Sequence, residues 1–430
     1  MKYFLSAFLF ALLLPVLAQD TLQIMQYNLL NYGNYFNDCT TTSNNVNTKN
    51  NHLRTIISHV KPDVFTVNEL SNTTSYHQMI LDQVLNINGE NKYRKAVSFN
   101  YADSYIVNML YYNSEKVALY SQDVVFSAVR DIDVFTMYYK AADLAQTRDT
   151  IFFTCFVAHL KAGDSDSDAT QRAGMVATAM TYIRTHNLPD NMMFMGDFNL
   201  YTNQEQAYVN LTYSYNGTRY FYDPIETEGS WNNNSTYKNV HTQSTHGNNV
   251  DCFSSGGLDD RFDFIMASRS LLEGGDKMMM LTETYRPLGN DGQHFNKSIT
   301  DSPTNTSAPG QVIEALYGMS DHLPILVQLK VDANTGIAES NSPITAIRFA
   351  NPSSGMLPYQ VSLSGHGAMD LNVEIYDIFG RKQLSQQVRA MEGSAAGTLN
   401  LESLANGFYL FVVLDENNRS ESRKFLLNKK

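Results

Sequence analysis

Apolar and polar positions along the chain fall into three regimes. Residues 4–17 form an almost unbroken apolar run behind Lys2, and Val16-Leu17-Ala18 then supplies small residues of the kind found at a cleavage site. In the second regime, short apolar runs at residues 21–30, 62–70, 151–160, 191–199, 261–267 and 322–329 predict buried strands. Residues 51–60, through Leu53, Ile56, Ile57 and Val60, and residues 169–184 carry helical spacing. In the third, residues 344–349, 359–363, 371–376, 383–389, 397–401, 408–415 and 422–427 are short strands at regular intervals, the pattern of a small β-sandwich. A stretch of turn formers, residues 332–343, separates the last two regimes. The expected organisation is a signal peptide at 1–18, a mixed α/β (α+β) domain at 19–331, a linker at 332–343 and an all-β domain at 344–430. The leading run is shorter than the ~20 residues a membrane crossing needs. No later stretch reaches that length, so no integral membrane segment is expected after signal cleavage.

Composition changes this picture in two respects. With 43% apolar residues and a charged fraction of 17%, the chain has ample material for a large core, and Asn, Ser and Thr supply much of its polar surface. The net charge is −12, and nearly all of the negative excess precedes the linker, which counts against simple electrostatic attraction to a polyanion. The three cysteines, Cys39, Cys155 and Cys252, form no CxxC pair, so a thiolate zinc site is excluded and at most one disulfide can form. Cys155 lies within an apolar run and reads as a buried small hydrophobe.

Candidate chemistry lies where the apolar runs end. They lead into Asn28, Glu69, His159, and Asp197 with Asn199; Asp263 sits within one run, and Asp321-His322 opens another. A buried carboxylate is costly unless it is paired or binds a metal. Carboxylates with amide oxygens suit a hard cation, Mg²⁺, Mn²⁺ or Ca²⁺, and two separate His are candidates for acid–base work. On the residues alone this is a candidate metal-dependent hydrolase. Asp164, Asp166 and Asp168 mimic the start of a calcium loop, but Ala169 and Met175 stand where its Gly and Glu belong, so a solvated acidic loop is expected.

The segments QYNLLNYG, PDVFTVNEL, VAHLKAG, MGDFNLY, DDRFDFIM and SDHLPILVQL, in this order, resemble the endonuclease/exonuclease/phosphatase superfamily. The resemblance implies a four-layer α/β sandwich with two packed mixed β-sheets and helices outside. It also implies hydrolysis of phosphoric esters with a divalent metal, usually Mg²⁺. By the same resemblance Glu69 is the primary metal ligand, with Asn28 beside it and Asp321 completing the site. His322 is the general base and Asp263 orients it; Asp197 and Asn199 position water and phosphate; His159 stabilises the phosphate or protonates the leaving oxygen. Arg148 and Asn108 are substrate-binding candidates. In the C-terminal region, Asn351-Pro352, residues 373–381, residues 404–409 and residues 424–429 resemble the type IX (Por) secretion C-terminal sorting domain of Bacteroidota.

The combined expectation is a secreted, divalent-metal-dependent phosphodiesterase. Nucleic acid, DNA and then RNA, is its substrate, and the type IX secretion machinery is its partner on the way to the medium or the cell surface. The alternatives are a sphingomyelinase or phospholipase C-type headgroup hydrolase, for which residues 135–139 are a candidate membrane-contacting hairpin, and a non-enzymatic surface adhesin. Trp231 and the Tyr-rich stretches are read as base-stacking or core residues.

Overall fold

The computed structural model describes residues 20–36, 38–125, 127–141, 144, 150–213, 220–332, 343–365, 367–377, 381–416 and 420–429. The expected signal peptide, residues 333–342 of the expected linker, and Arg148 lie outside the described residues. The chain divides into two compact units, Met1–Ala333 and Asn334–Lys430.

The first unit is built on two six-stranded mixed sheets. The first contains β1 (Asp20–Tyr32), β2 (Val64–Ser71), β3 (Tyr93–Lys95) and β4 (Ile106–Asn113). The second contains β5 (Val117–Val125), β6 (Ile132–Tyr139), β7 (Phe152–His159), β8 (Met192–Asp197), β9 (Phe221–Tyr222) and β10 (Asp263–Ser268). The chain then returns to the first sheet through β11 (Met278–Pro287) and β12 (Ile325–Val331), giving the orders β11-β12-β1-β2-β4-β3 and β5-β6-β7-β8-β10-β9.

Each sheet holds one parallel pair joined by a helix. The Val46–Val60 helix links β1 to β2, and the Asp166–Thr185 helix links β7 to β8. Asn45 caps the first helix by accepting from the Asn47 and Thr48 amides, and the left-handed Lys61 ends it before Pro62. This helix begins before the apolar spacing does, because its first turns are polar although Lys49 and Asn50 are buried. Ser165 caps the second helix, and Asp168 bonds Lys161 and Ser165. The acidic triplet is therefore a helix start whose charges suit the positive end of the helix.

Alternation divides the side chains of the second sheet. Phe153, Cys155 and Val157 join the main core, which also takes in the first sheet and the Val46–Val60 and Gly310–Met319 helices. Phe156 and Ala158 face the other way and pack with Met175, Val176 and Ala179 of the Asp166–Thr185 helix. The layers run helix, sheet, sheet, helix. Residues 135–139 fall within β6, where Phe135 and Met137 are fully buried, so they are a core strand and not an exposed hairpin. Trp231 is also fully buried, packs against Phe264 and donates its Nε1–H to the Thr227 carbonyl. Cys39 and Cys252 form a disulfide, and Cys155 is free and buried.

The second unit is all-β. Ile344–Phe349, Met356–Leu363 and Ser394–Asn400 form a three-stranded antiparallel sheet. Lys382–Ala390, Met369–Asp377, Gly407–Leu414 and Ser420–Leu427 form a four-stranded one. Both contribute to a separate core that includes Ile347, Val361, Val373, Phe411 and Phe425. No helix among the described residues is long and apolar enough to cross a membrane.

Candidate active site

The carboxyl ends of both parallel pairs lie at one edge of the sandwich and carry the polar residues. In the second sheet, His159, Asp197 and Asp263 stand opposite one another on three adjacent strands. In the first, Asn28 pairs with Asn68, and Glu69 follows. Period-two geometry alone would send Asn68 and Glu69 to opposite faces. Glu69 escapes this with a left-handed backbone (φ 55°), where the register with β4 slips. Gly196 is needed for a different reason. With φ 141°, a Cβ there would lie 1.8 Å from the Ala158 carbonyl oxygen, so only glycine lets β7 and β8 close up beside His159 and Asp197.

The end of β1 is similarly irregular. Leu30 and Asn31 have positive φ, which frees several backbone carbonyls from the ladder. Each finds a donor. Ser320 Oγ donates to the Asn28 carbonyl at 2.7 Å, the buried Lys49 ammonium to those of Leu29 and Leu30 at 2.7 and 2.5 Å, and Asn44 to that of Asn31 at 2.7 Å. Burial pulls the Lys49 pKa down to about 7, against the opposing pull of Asp321 and Glu69.

On this frame Glu69 accepts from the Asn31 amide at 2.8 Å and from Asn28 Nδ2 at 3.1 Å. Asn28 Nδ2 also reaches Asp197 Oδ2 at 2.9 Å, while its Oδ1 accepts from the Leu30 amide. Asp197 Oδ1 accepts from both nitrogens of Asn199. His159 Nε2 lies 3.4 Å from Asp197 Oδ2 and 3.8 Å from Glu69 Oε1. The ligand atoms of Glu69, His159 and Asp197 all lie within 4.8 Å of one another, close enough to hold a metal ion. Asp321 stands outside this trio; its Oδ2 accepts from the Ser254 amide and Gln243, and its buried Oδ1 has no hydrogen-bond partner among the described residues. Two carboxylates, an imidazole and an unpartnered buried carboxylate oxygen nearby suit a hard divalent cation.

His322 Nδ1 bonds Asp263 Oδ2 at 2.7 Å, and its Nε2 faces Gln243 Nε2 at 2.8 Å, Asn28 Nδ2 at 3.4 Å and Asp197 Oδ2 at 3.8 Å. Burial alone would lower its pKa, but the carboxylates of Asp263 and Asp197 raise it well above the usual imidazole value. His159 moves the other way. Burial, then Arg130 and His322, hold it well below that value, and its buried Nδ1 has no hydrogen-bond partner among the described residues. Burial also raises Asp197, with Asp263 and Glu69 adding to the shift and His322 opposing it.

Asn108 is placed differently from the expectation that it serves substrate. It is buried, its Nδ2 donates to Asp133 Oδ2 and to the Asp131 and Val157 carbonyls, and its Oδ1 accepts from Asn68. Asn68 Oδ1 in turn accepts from the Asp197 amide, so Asn108 belongs to an internal polar layer behind the site. The hydroxyls of Thr242, Ser244 and Thr245 are likewise spent on internal partners.

Four site residues escape a reading of the sequence: Lys49, Asn68, Arg130 and Gln243. Arg130 donates to the His159 and Leu160 carbonyls and lies near enough to Glu69 and Asp197 to interact electrostatically. Only Asn68 had a local signal, a polar residue within the PDVFTVNEL run. Lys49 lies on a helix and Arg130 in a loop, with no motif around either, and Gln243 lies in the loop of residues 241–245.

A family model described as "Endonuclease/Exonuclease/phosphatase family" matches residues 25–283, and one described as "Secretion system C-terminal sorting domain" matches residues 349–428. No curated protein matches the chain. Similar solved structures include D. rerio TDP2 complexed with a single-strand DNA product, at 14% identity and TM-score 0.44, covering 72% of this chain and 98% of that one. An endonuclease/exonuclease/phosphatase from Beutenbergia cavernae is 12% identical, with TM-score 0.42, covering 95% of this chain and 100% of that one. The human Nocturnin catalytic domain is 11% identical, with TM-score 0.39, covering 73% and 97%.

Proposed function

Because this chain belongs to the endonuclease/exonuclease/phosphatase family, whose members are phosphoric ester hydrolases, we propose that it is a divalent-metal-dependent phosphodiesterase that cleaves DNA and, secondarily, RNA. The observation that carries this reading is the meeting of two residue groups at one edge of the first unit. The Asp263–His322 pair and the Glu69–His159–Asp197 cluster both contact the Asn28 and Asp197 side chains or each other across a few ångströms.

Glu69 and Asp197 would hold the cation, with His159 at its side and Asp321 near; Mg²⁺ is the ion of choice for such oxygen donors. Bound there, it supplies positive charge to a phosphoryl group. The protein's own groups do the rest. Asp263 accepts the Nδ1–H of His322 and so fixes the tautomer whose Nε2 takes a proton from the attacking water. The neutral His159 keeps an N–H for a phosphoryl oxygen and is no proton reservoir, which favours charge stabilisation over protonation of the leaving oxygen. Arg130, held by two backbone carbonyls, gives an otherwise acidic domain a fixed cation beside the cluster. Tyr101 and Tyr105, 64% and 75% exposed, stand on the loop leading into β4 at the same edge and offer rings on which bases can stack.

The C-terminal sorting domain supports export through the type IX machinery to the medium or the cell surface. The deciding assay incubates the full-length protein with plasmid DNA, RNA and sphingomyelin, each with Mg²⁺, Ca²⁺ or EDTA. DNA cutting that EDTA abolishes is the expected result. Headgroup release with DNA left intact would replace the nuclease reading with the lipase one, and a Glu69→Gln variant with normal turnover would refute the metal site.

A further inference from the structure

We propose that Gln243 is a catalytic side chain: a neutral hydrogen-bond donor that leaves His322 for a nonbridging phosphoryl oxygen as water attacks the phosphodiester. This rests on the phosphodiesterase reading above and adds a residue to it.

The backbone of Gln243 is fixed. It forms β-bridges to both Asp260 and His322, its amide donates to the Asp260 carbonyl, and its carbonyl accepts from the Asp259 and Asp260 amides at 2.9 Å. Its side chain is only half-buried. Two partners set the orientation of the carboxamide. Asp321 Oδ2, at 3.3 Å, can only accept. In the neutral ring, the state in which His322 can act as a base, the single proton is on Nδ1 and goes to Asp263, so Nε2 also accepts, at 2.8 Å. Both contacts therefore require the NH₂ end.

The other amides of the site are committed elsewhere. Asn28 bridges Glu69 and Asp197, Asn199 holds Asp197, and Asn108 is turned inward. Asn28 Nδ2 lies 3.4 Å from His322 Nε2 and directs its two protons at Glu69 and Asp197, whereas Gln243 makes the shorter contact, at 2.8 Å, to the lone pair that the general base needs. When a water molecule approaches His322 Nε2, that N–H has to give way. An incoming phosphoryl oxygen supplies a new acceptor within reach of a half-buried side chain. A Lys or Arg at this position would pair permanently with Asp321; an amide has comparable reach with no charge to trap it. A donor realised only in the transition state raises kcat rather than lowering KM.

The test measures kcat and KM of the full-length protein with Mg²⁺ for wild type, Gln243→Ala and Gln243→Met. The substrates are bis(p-nitrophenyl) phosphate and DNA strands carrying a single Rp or Sp phosphorothioate. Thermal unfolding is followed alongside, and the Met variant preserves side-chain bulk should the Ala variant unfold. We expect kcat to fall about 10²-fold with KM nearly unchanged. We also expect the thio effect of one diastereomer, and not the other, to shrink in the variants, because sulfur accepts hydrogen bonds poorly and the donor is already gone. A kcat within about 3-fold of wild type overturns the proposal. So does a lower kcat with both thio effects unchanged, since that would mean Gln243 only positions His322. His322→Ala in the same assay separates the levels: activity surviving there refutes the dyad itself, whereas an inactive His322→Ala beside a normal Gln243→Ala refutes only the role of Gln243.

Discussion

His322 and His159 occupy the same edge of one sandwich, are equally buried at 3% exposure, and reach the same Asp197 carboxylate, yet their electrostatics are opposite. His322 has a carboxylate on Nδ1 and a raised pKa; His159 has a bare, buried Nδ1, an arginine nearby and a lowered one. Burial by itself pushes both down. What separates them is the carboxylate that β10 places behind one ring and that no described residue places behind the other. One imidazole is thereby equipped to take up a proton, and the other to remain a neutral donor.

Removing each ring in turn tests this difference most strongly. His322→Ala should lower kcat by on the order of 10³-fold, and His159→Ala by about 10²-fold, measured on DNA with saturating Mg²⁺. Equal losses would erase the distinction. Asp263→Asn comes next and sharpens it. A base with a raised pKa becomes free only as pH rises, so wild-type kcat should climb along a limb that inflects above 6.5. The variant loses the anion that stabilises imidazolium, so its limb should move to lower pH while its plateau falls by at least about 10²-fold. His159→Gln should leave the limb in place; a shift there would mean that His159 is the titrating base. The smallest effect on chemistry is expected from Lys49→Met, which removes the donor to the Leu29 and Leu30 carbonyls. It should destabilise the fold by roughly 1–3 kcal/mol in denaturant titration, with kcat changed less than by any variant above. Unchanged stability would show that the β1 bulge holds itself.

The contrast extends to what can be read without coordinates. Central strands announce themselves: the apolar runs ending at Asn28, Glu69, His159 and Asp197 mark β1, β2, β7 and β8 because strands buried on both faces must be apolar throughout. Strand β5 is not marked in this way. It lies at a sheet edge with only its two ends buried, so its pattern resembles a loop. The Val46–Val60 helix starts before its apolar spacing because the buried Lys49 and Asn50 look like surface residues.

The sequence by itself determined the two-part organisation of apolar patterning, the strands of the inner sheets, and the acids and imidazoles at their ends. Those properties are local: a buried strand needs an apolar run, and a polar group ending one needs a reason to be there. Only the tertiary structure decided which of these groups meet. It gathered Glu69 with His159 and Asp197 while leaving Asp321 outside that trio, joined Cys39 to Cys252, spent Asn108 on the interior, and brought Lys49, Arg130 and Gln243 to the site. The pKa difference between the two imidazoles belongs here too. Electrostatic energy depends on distance and burial, which are set by strands and loops far apart in the chain and leave no trace in the residues next to either histidine.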